Sequence, residues 1–119
     1  MILGKAEILA AKDLAIEQVP VPEWSPGATV CVRGLKGWER DQFDTFAQEA
    51  QAKKDYTHSR ARLVSASLCD ESGASLDFTE ADMLALSNKS ALPLGRLYSA
   101  CLRLSGFSTE DVKELEKND

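Results

Sequence analysis

Three of the four prolines fall within residues 20–26, and this cluster restricts the fold more than any other feature of the sequence. Pro20 and Pro22 exclude a helix there, because proline lacks the backbone N–H that a helix interior needs. Val19 and Val21 instead follow the period of two that is typical of a strand. Because proline cannot donate to a strand ladder, we predict an edge strand at this point of the chain.

A turn follows the edge strand and leads into a second strand. Ser25-Pro26-Gly27 is a turn sequence, since proline presets φ and glycine accepts a positive φ. The next residues alternate between two faces, with Ala28, Val30 and Val32 on one face and Thr29, Cys31 and Arg33 on the other. Two extended segments joined by a Pro-Gly turn predict a β-hairpin.

Helical patterns lie on both sides of the hairpin. Residues 38–52 predict a helix whose apolar stripe consists of Phe43, Phe46, Ala47 and Ala50. Acidic residues stand in its first turn and Lys53 stands near its end, which suits the helix dipole. Residues 3–12 are rich in Ala, Leu, Lys and Glu and predict a short N-terminal helix.

A third strand is predicted over residues 61–69, because alternate residues from Val64 to Leu68 are apolar. A turn follows at residues 71–73, and a short returning segment is predicted over residues 76–78.

Two helix starts repeat one pattern in the last third of the chain. Residues 78–83 and 107–112 each contain an apolar residue, a Ser or Thr cap, an Asp three residues after the cap, and another apolar residue. This pattern predicts a capping box with a hydrophobic staple, which would join Phe78 to Met83 and Phe107 to Val112. A helix that begins at Pro93 and carries a stripe from Leu94 to Leu104 separates the two starts, and a short charged helix ends the chain.

The predicted order is therefore helix, hairpin, helix, strand and three helices. This order predicts an α+β fold, in which a small antiparallel sheet, made of the hairpin and one or two further strands, packs against about four to five helices. At 119 residues the chain has the size of one domain, and no linker or internal repeat divides residues 1–119.

An acidic composition narrows the range of partners. Fourteen Lys and Arg against nineteen Asp and Glu give a formal net charge of −5. Because such a surface repels phosphate backbones, we expect no nucleic-acid binding. No apolar run approaches the roughly 20 residues of a membrane span, and the N-terminal stretch does not have the features of a signal peptide. With three unpaired, widely spaced cysteines, these features predict a cytoplasmic protein in a reducing compartment.

Little in the sequence predicts catalysis, a metal site or a cofactor. The one histidine, His58, lies in a polar stretch, and we interpret it as a solvated loop residue and not as a catalytic base. Cys31, Cys69 and Cys101 each lie in an apolar pattern, which is typical of buried structural thiols. Neither the ligand spacing of a zinc site nor a phosphate-binding loop is present. We therefore predict that the protein is not an enzyme and uses no cofactor.

The stretch from Val21 to Asp41 resembles a known family. The string VPVPEW, the turn that contains Gly27, and TVCVRGLKGWERDQF together resemble the tail assembly chaperones of long, flexible-tailed (siphovirus-type) phages and prophages. The matching residues are Val21, Pro22, Glu23, Trp24, Val30, Val32, Arg33, Leu35, Gly37, Glu39, Arg40 and Asp41. The later strand, turn and helices follow the same order as in that family, so the resemblance covers nearly the whole chain from about residue 5. The departures are local: the family more often places Gly directly after Trp, and Asn is common where this chain has Ser105.

The resemblance implies a role in assembly through protein binding alone. Members of that family bind the tape measure protein, keep it soluble and help recruit tail tube subunits. The implied partners are thus the tape measure protein and the major tail protein. The implied location is the host cytoplasm, with no place in the mature virion. Many members also occur in a longer form that is made by translational frameshifting.

The sequence leaves the binding surface open. The candidate partner-binding residues are Trp24, Arg33, Trp38, Arg40 and Phe43. Both tryptophans also fit a packing role that clamps the hairpin to the following helix, and both arginines fit ion pairs with nearby acids. The alternative functions are a small cytoplasmic protein-binding adaptor or regulator unrelated to phage tails, and an enzyme that uses the histidine or a cysteine. A structure without a pocket at those residues would reject the enzyme. Self-association through helical surfaces is a further alternative.

Overall fold

The structure, a computed structural model, describes residues 1–108 and 110–111. In these residues a three-stranded antiparallel sheet packs with five helices, which confirms the predicted α+β fold. The elements in chain order are α1 (Lys5–Ala10), β1 (Ile16–Pro20), β2 (Thr29–Arg33), α2 (Gly37–Lys53), α3 (Ser59–Ser67), β3 (Leu68–Cys69), α4 (Glu80–Ser87) and α5 (Ala91–Leu104).

The predicted hairpin is confirmed. β1 pairs antiparallel with β2 in a register that runs from Ile16 opposite Arg33 to Pro20 opposite Thr29. The sheet order β1-β2-β3 places the proline-containing strand at an edge, where its missing N–H interrupts no ladder. The connecting turn is closed by the N–H of Ala28, which donates to the carbonyl of Ser25 over 3.0 Å, and Gly27 has the positive φ of 74° that this turn requires.

The segment that was predicted as a strand over residues 61–69 is instead mostly a helix, and only its last two residues are extended. The prediction was wrong because α3 is surrounded by α2, α4, α5 and β2 and is buried on most of its sides. A helix in such a position needs no polar face, so its sequence lacks the 3.6-residue pattern of a surface helix. Small residues such as Ala61, which is 1% exposed, and Ser67, which is 0% exposed, let its neighbours approach closely.

The predicted turn after β3 forms, whereas the returning segment predicted over residues 76–78 is not a strand. Asp70 Oδ1 accepts the N–H groups of Ser72 and Ala74, and Gly73 has a φ of 88°. The chain then returns far enough for Ser75 to bridge to Cys69.

The core lies where α3 and α5 meet the hairpin. α5 buries the stripe that the sequence predicts, with Leu94, Leu97, Tyr98 and Cys101 all buried. Val32 from the central strand and Leu63 from α3 are 0% exposed in the same cluster. The hairpin is therefore held in place by α3 and α5, and α2 is held in place by α3.

Both predicted capping boxes are present. The N–H of Asp82 donates to Thr79 Oγ1 over 3.1 Å, and the N–H of Thr79 donates to Asp82 Oδ2 over 2.9 Å. Ser108 and Asp111 make the same two bonds, each 3.0 Å long. Phe78 packs against the core that contains Met83, as the first staple predicts. Val112, which belongs to the second staple, and the rest of the predicted final helix lie outside the described residues.

Candidate functional site: an aromatic groove

A groove of about 380 Å³ runs between α2, α3 and the start of α4. We call it the aromatic groove, because four aromatic side chains contribute to its walls. It is lined by Trp38, Glu39, Gln42, Phe43, Phe46, Arg62, Leu63, Ser65, Ala66, Ser75, Asp77, Phe78, Thr79, Glu80 and Met83. Its volume is within the usual range for a site that accepts a small ligand or a few side chains of a partner.

The apolar part of the groove is built from the stripe of α2 and the start of α4. Phe43 is buried, and its ring centroid lies 6.3 Å from that of Phe46. Phe78 is half-buried on the other side, above the buried Met83. Trp38 stands at the first turn of α2 and is 58% exposed. Large aromatic surfaces of this kind contribute most of the affinity in many protein interfaces.

One ion pair crosses the groove from α3 to α4. Arg62 donates to both carboxylate oxygens of Glu80, over 2.9 and 3.2 Å, and its guanidinium carbon lies 4.7 Å from the centroid of Phe46. The hydrogen bonds from Arg62 hold the pKa of the Glu80 carboxyl below its usual value. This pair fixes the guanidinium in place while leaving part of it facing the groove.

Two polar atoms on the α3 wall have no hydrogen-bond partner in the part of the chain that the structure describes. They are Arg62 Nε, which is a donor only, and Ser65 Oγ, whose residue is 8% exposed. Buried polar atoms almost always find a partner, since desolvation without one is unfavourable. Both atoms are themselves covered from solvent, so they lie behind the surface of the aromatic groove and are not contact points for an incoming molecule.

The five candidate partner-binding residues lie in different environments in the structure. Trp38 and Phe43 both line the aromatic groove, one at its exposed rim and the other in its buried wall. Arg33 is 1% exposed and is bonded to Glu39, so it offers no surface to a partner. The predicted ion pair from this arginine is thus confirmed, within the protein interior.

The other two candidates lie outside the groove lining. Arg40 pairs with Asp44 over 3.2 Å, as expected, and its guanidinium also covers the ring of Phe107 at 3.8 Å. Trp24 is half-buried and packs against the core, in agreement with the packing role. Trp38, on the first turn of α2, is 58% exposed, so more than half of its side chain faces solvent.

Sequence reasoning missed Arg62, Ser65 and Phe78 as members of the site. The first two were assigned to a strand, so their place on one helix wall was not foreseen. Phe78 was assigned to a staple, a role that it also has here. The available signal was the spacing of Arg62 and Ser65, since residues three apart share one face of a helix.

A second cavity, of about 520 Å³, contains His58. Its Nδ1 lies 2.7 Å from Ser87 Oγ, and the backbone of His58 has a φ of 69°. A nucleophilic serine needs a base that is itself oriented by a third group. Among the described residues no carboxylate bonds to the ring of His58, and Asp55 uses its carboxylate to accept the N–H of Thr57. The hydrogen bond between His58 and Ser87 links the loop before α3 to the end of α4. Because a cavity lies at His58, the structure does not reject the alternative function of an enzyme.

The three cysteines are free thiols. Cys69 and Cys101 are buried and Cys31 is half-buried, in line with the structural role predicted for them. Burial raises the pKa of Cys101 to about 12. Across the described residues, no group of three or more His, Cys, Asp or Glu side chains is placed to hold a metal ion.

Comparisons with protein-family models, with curated proteins and with solved structures found no match for this chain. In the described part of the chain, no helix is both long enough and apolar enough to cross a membrane. The aromatic groove and the sequence resemblance are therefore the grounds for a functional proposal.

Proposed function

We propose that this protein is a non-enzymatic tail assembly chaperone of a phage or prophage, which binds the tape measure protein through the aromatic groove. The observation that supports this most directly is the exposed Trp38 at the rim of a groove with aromatic walls. The resemblance to that family, which includes residues 21–41, supports the tape measure protein as the partner. The action takes place in the host cytoplasm, and the protein is absent from the mature virion.

Helix-in-groove binding is the physical basis of the proposal. A tape measure protein is long and helical, and its apolar stripes need cover until the tube forms around them. An apolar groove binds such a helix through side chains spaced three and four residues apart. The partly exposed pair of Arg62 and Glu80 would offer polar contacts to the same partner helix. Recruitment of the major tail protein requires a second surface, which has no assigned position.

Co-expression with the tape measure protein tests the proposal. We expect the tape measure protein to be recovered in the soluble fraction with the wild-type chain and to be largely insoluble with the Trp38→Ala variant. Leu92→Ala is the matched control, because Leu92 is 66% exposed and lies outside the groove. If the tape measure protein is equally soluble without this chain, the chaperone function is rejected.

A small cytoplasmic adaptor or regulator unrelated to phage tails is the second candidate, since the same groove would serve any amphipathic helix. Gene neighbourhood separates the two candidates. A major tail protein gene upstream and a very long tape measure gene downstream favour the chaperone, and a neighbourhood without them favours the adaptor.

A further inference from the structure

Two of the three free thiols lie directly opposite each other in the sheet. Cys31 in the central strand β2 is paired with Cys69 in β3, and the neighbouring pair is Val32 with Leu68. Residues that are directly opposed on antiparallel strands point to the same face of the sheet. The two thiols are therefore cross-strand neighbours, although α2 and α3 separate them in the chain.

The backbone hydrogen bonds of β2 determine the spacing of this pair. The N–H of Gly34 donates to the carbonyl of Ala15 over 3.1 Å, on the side of β1. Because successive residues of a strand direct their backbone groups to opposite sides, Cys31 directs its own groups toward β3. Cys31 and Cys69 thus form a hydrogen-bonded pair, in which the two Cα atoms lie about 5.5 Å apart. Disulfides span Cα separations of about 4.4–6.8 Å, so the two strands already have the spacing that a disulfide requires.

The thiols differ in their access to solvent and in the charges near them. Cys31 is half-buried, whereas Cys69 is 3% exposed. Burial and the neighbouring Cys31 raise the pKa of the Cys69 thiol, and the positive charge of Arg33 acts in the opposite direction. Cys101 is 0% exposed, and burial raises its pKa to about 12. Cys31 is therefore the thiol that an outside reagent meets first, and Cys69 is the thiol placed to react next.

We infer that Cys31 and Cys69 are a redox-sensitive thiol pair, in which Cys31 reacts with small-molecule disulfides and Cys69 converts the product into a disulfide bond within the chain. In the first step, the Cys31 thiolate attacks one sulfur of the small disulfide, and the other sulfur leaves as a thiol that takes up one proton. In the second step, the Cys69 thiolate attacks the sulfur of Cys31 and displaces the remaining small thiol, which takes up the second proton. The two cysteines lose two electrons in total, and the small disulfide gains them.

The disulfide bond would act on the part of the fold that lies between the two cysteines. It closes a loop that contains α2 and α3, two of the three helices that form the aromatic groove. A cross-link of this kind restricts the unfolded chain and so favours the folded one. In the reducing compartment that the composition predicts, the pair stays as free thiols until the ratio of disulfide to thiol rises. The inference does not depend on the tail assembly role.

Incubation of the reduced protein with oxidised glutathione tests the thiol pair. We expect the main product to be lighter than the reduced protein by about two hydrogen atoms, with no glutathione retained. Lys and Arg residues between the cysteines place each cysteine in a separate tryptic peptide. Mass spectrometry of a digest without reductant should therefore show the Cys31 peptide joined to the Cys69 peptide, and dithiothreitol should separate the two.

Three variants distinguish the two steps. Cys31→Ser should remain unmodified under the same conditions. Cys69→Ala should stop after the first step and retain at least about tenfold more glutathione than the wild type does. Cys101→Ala is the matched control for the loss of a buried thiol, and it should form the bond like the wild type.

Far-UV circular dichroism checks that the variants are folded, and the digest of the wild type needs no variant. A wild-type protein that keeps glutathione on Cys31 overturns the inference. A bond between Cys69 and Cys101, or no reaction in the folded protein, overturns it as well.

Discussion

Arg33 and Glu39 form a buried ion pair that joins β2 to α2. Arg33 Nη1 and Nη2 donate to Glu39 Oε1 and Oε2, each over 2.9 Å, and the two side chains are 1% and 9% exposed. Glu39 Oε1 also accepts the N–H of Lys36 over 2.8 Å, at the position that begins α2. One carboxylate thus caps the helix and neutralises a buried guanidinium.

Replacing Glu39 by glutamine leaves the charge of Arg33 buried without a counter-ion. Removing one partner of a buried pair is strongly unfavourable, so we expect the free energy of unfolding to fall by about 3–5 kcal/mol. Urea unfolding followed by circular dichroism measures the change. Asp44→Asn, which removes the exposed partner of Arg40, is the control and should change the stability by less than about 1 kcal/mol. Similar losses for both variants would contradict the special role of the buried pair.

Acid should weaken the contact between Glu23 and Arg96. Arg96 donates to both oxygens of Glu23, over 3.0 and 2.7 Å, and this bonding lowers the pKa of Glu23 from 4.5 to about 2. Because the folded-state pKa lies below the unfolded one, the contribution of the pair is complete above pH 4.5 and is lost as the pH falls toward 2.

The Glu23→Gln variant should therefore lose less stability than the wild type between pH 4.5 and pH 2. Urea unfolding at a series of pH values gives, for each of the two proteins, the slope of the free energy of unfolding against pH. Hydrogen bonds also lower the pKa values of Asp70 and Asp82, so these groups contribute to the slope of both proteins. The effect of Glu23 is therefore the difference between the wild-type slope and the variant slope. Glu49→Gln removes an exposed carboxylate on α2 and is the control for the loss of one negative charge. A slope for Glu23→Gln equal to that of the wild type would show that the pair does not titrate as described.

Thr79→Ala removes the capping hydroxyl from the start of α4. Since Thr79 Oγ1 accepts the N–H of Asp82, its loss should lower the free energy of unfolding by about 1 kcal/mol. Thr79→Ser keeps the oxygen and should stay close to the wild type. Thermal unfolding of the three proteins checks this, and an equal loss for the serine variant would point to the methyl group instead of the cap.

The capping boxes and the hairpin were predictable because local chemistry determines them. A threonine followed three residues later by an aspartate satisfies the first N–H groups of a helix in almost any surrounding. Pro26-Gly27 likewise specifies a turn from its own φ preferences. Such signals do not depend on what the segment packs against, so the sequence alone was enough.

The aromatic groove was not predictable, because it depends on where α3 lies. Ser65 and Ala66 give no periodic signal, since both sides of the helix meet other elements. Whether Trp38 is exposed is also a tertiary property, because it depends on how the first turn of α2 sits on the start of α4. The sequence identified Trp38 and Phe43 as candidates, and only the packing of three helices places them on one surface.

The three thiols should react at very different rates. Cys101 is 0% exposed and its pKa is raised to about 12 by burial, while Cys31 is half-buried. At pH 8 we expect a thiol reagent such as iodoacetamide to label Cys31 first and Cys101 only after unfolding, because the thiolate is the reactive form. Mass spectrometry of peptides after timed labelling identifies the modified residue. The Cys31→Ser variant is the control and should lose the fast reaction. Fast labelling of Cys101 in the folded protein would show that α5 opens readily.

Ser65 and Ser67 should respond to the same substitution with opposite signs. Ser67 Oγ donates to the carbonyl of Leu63 over 3.3 Å, so Ser67→Ala should lower the free energy of unfolding by about 1 kcal/mol. Ser65 Oγ has no partner in the described residues, and burying such a hydroxyl is unfavourable by about 1–3 kcal/mol. Ser65→Ala should therefore stabilise the protein.

Ser65 Oγ is covered from solvent, so Ser65→Ala should leave partner binding in the aromatic groove unchanged. Urea unfolding of the wild type and of the two alanine variants measures both changes in the free energy of unfolding. If Ser65→Ala is destabilised to the same extent as Ser67→Ala, then the hydroxyl of Ser65 contributes to the stability of the fold and is not an unfavourable buried group.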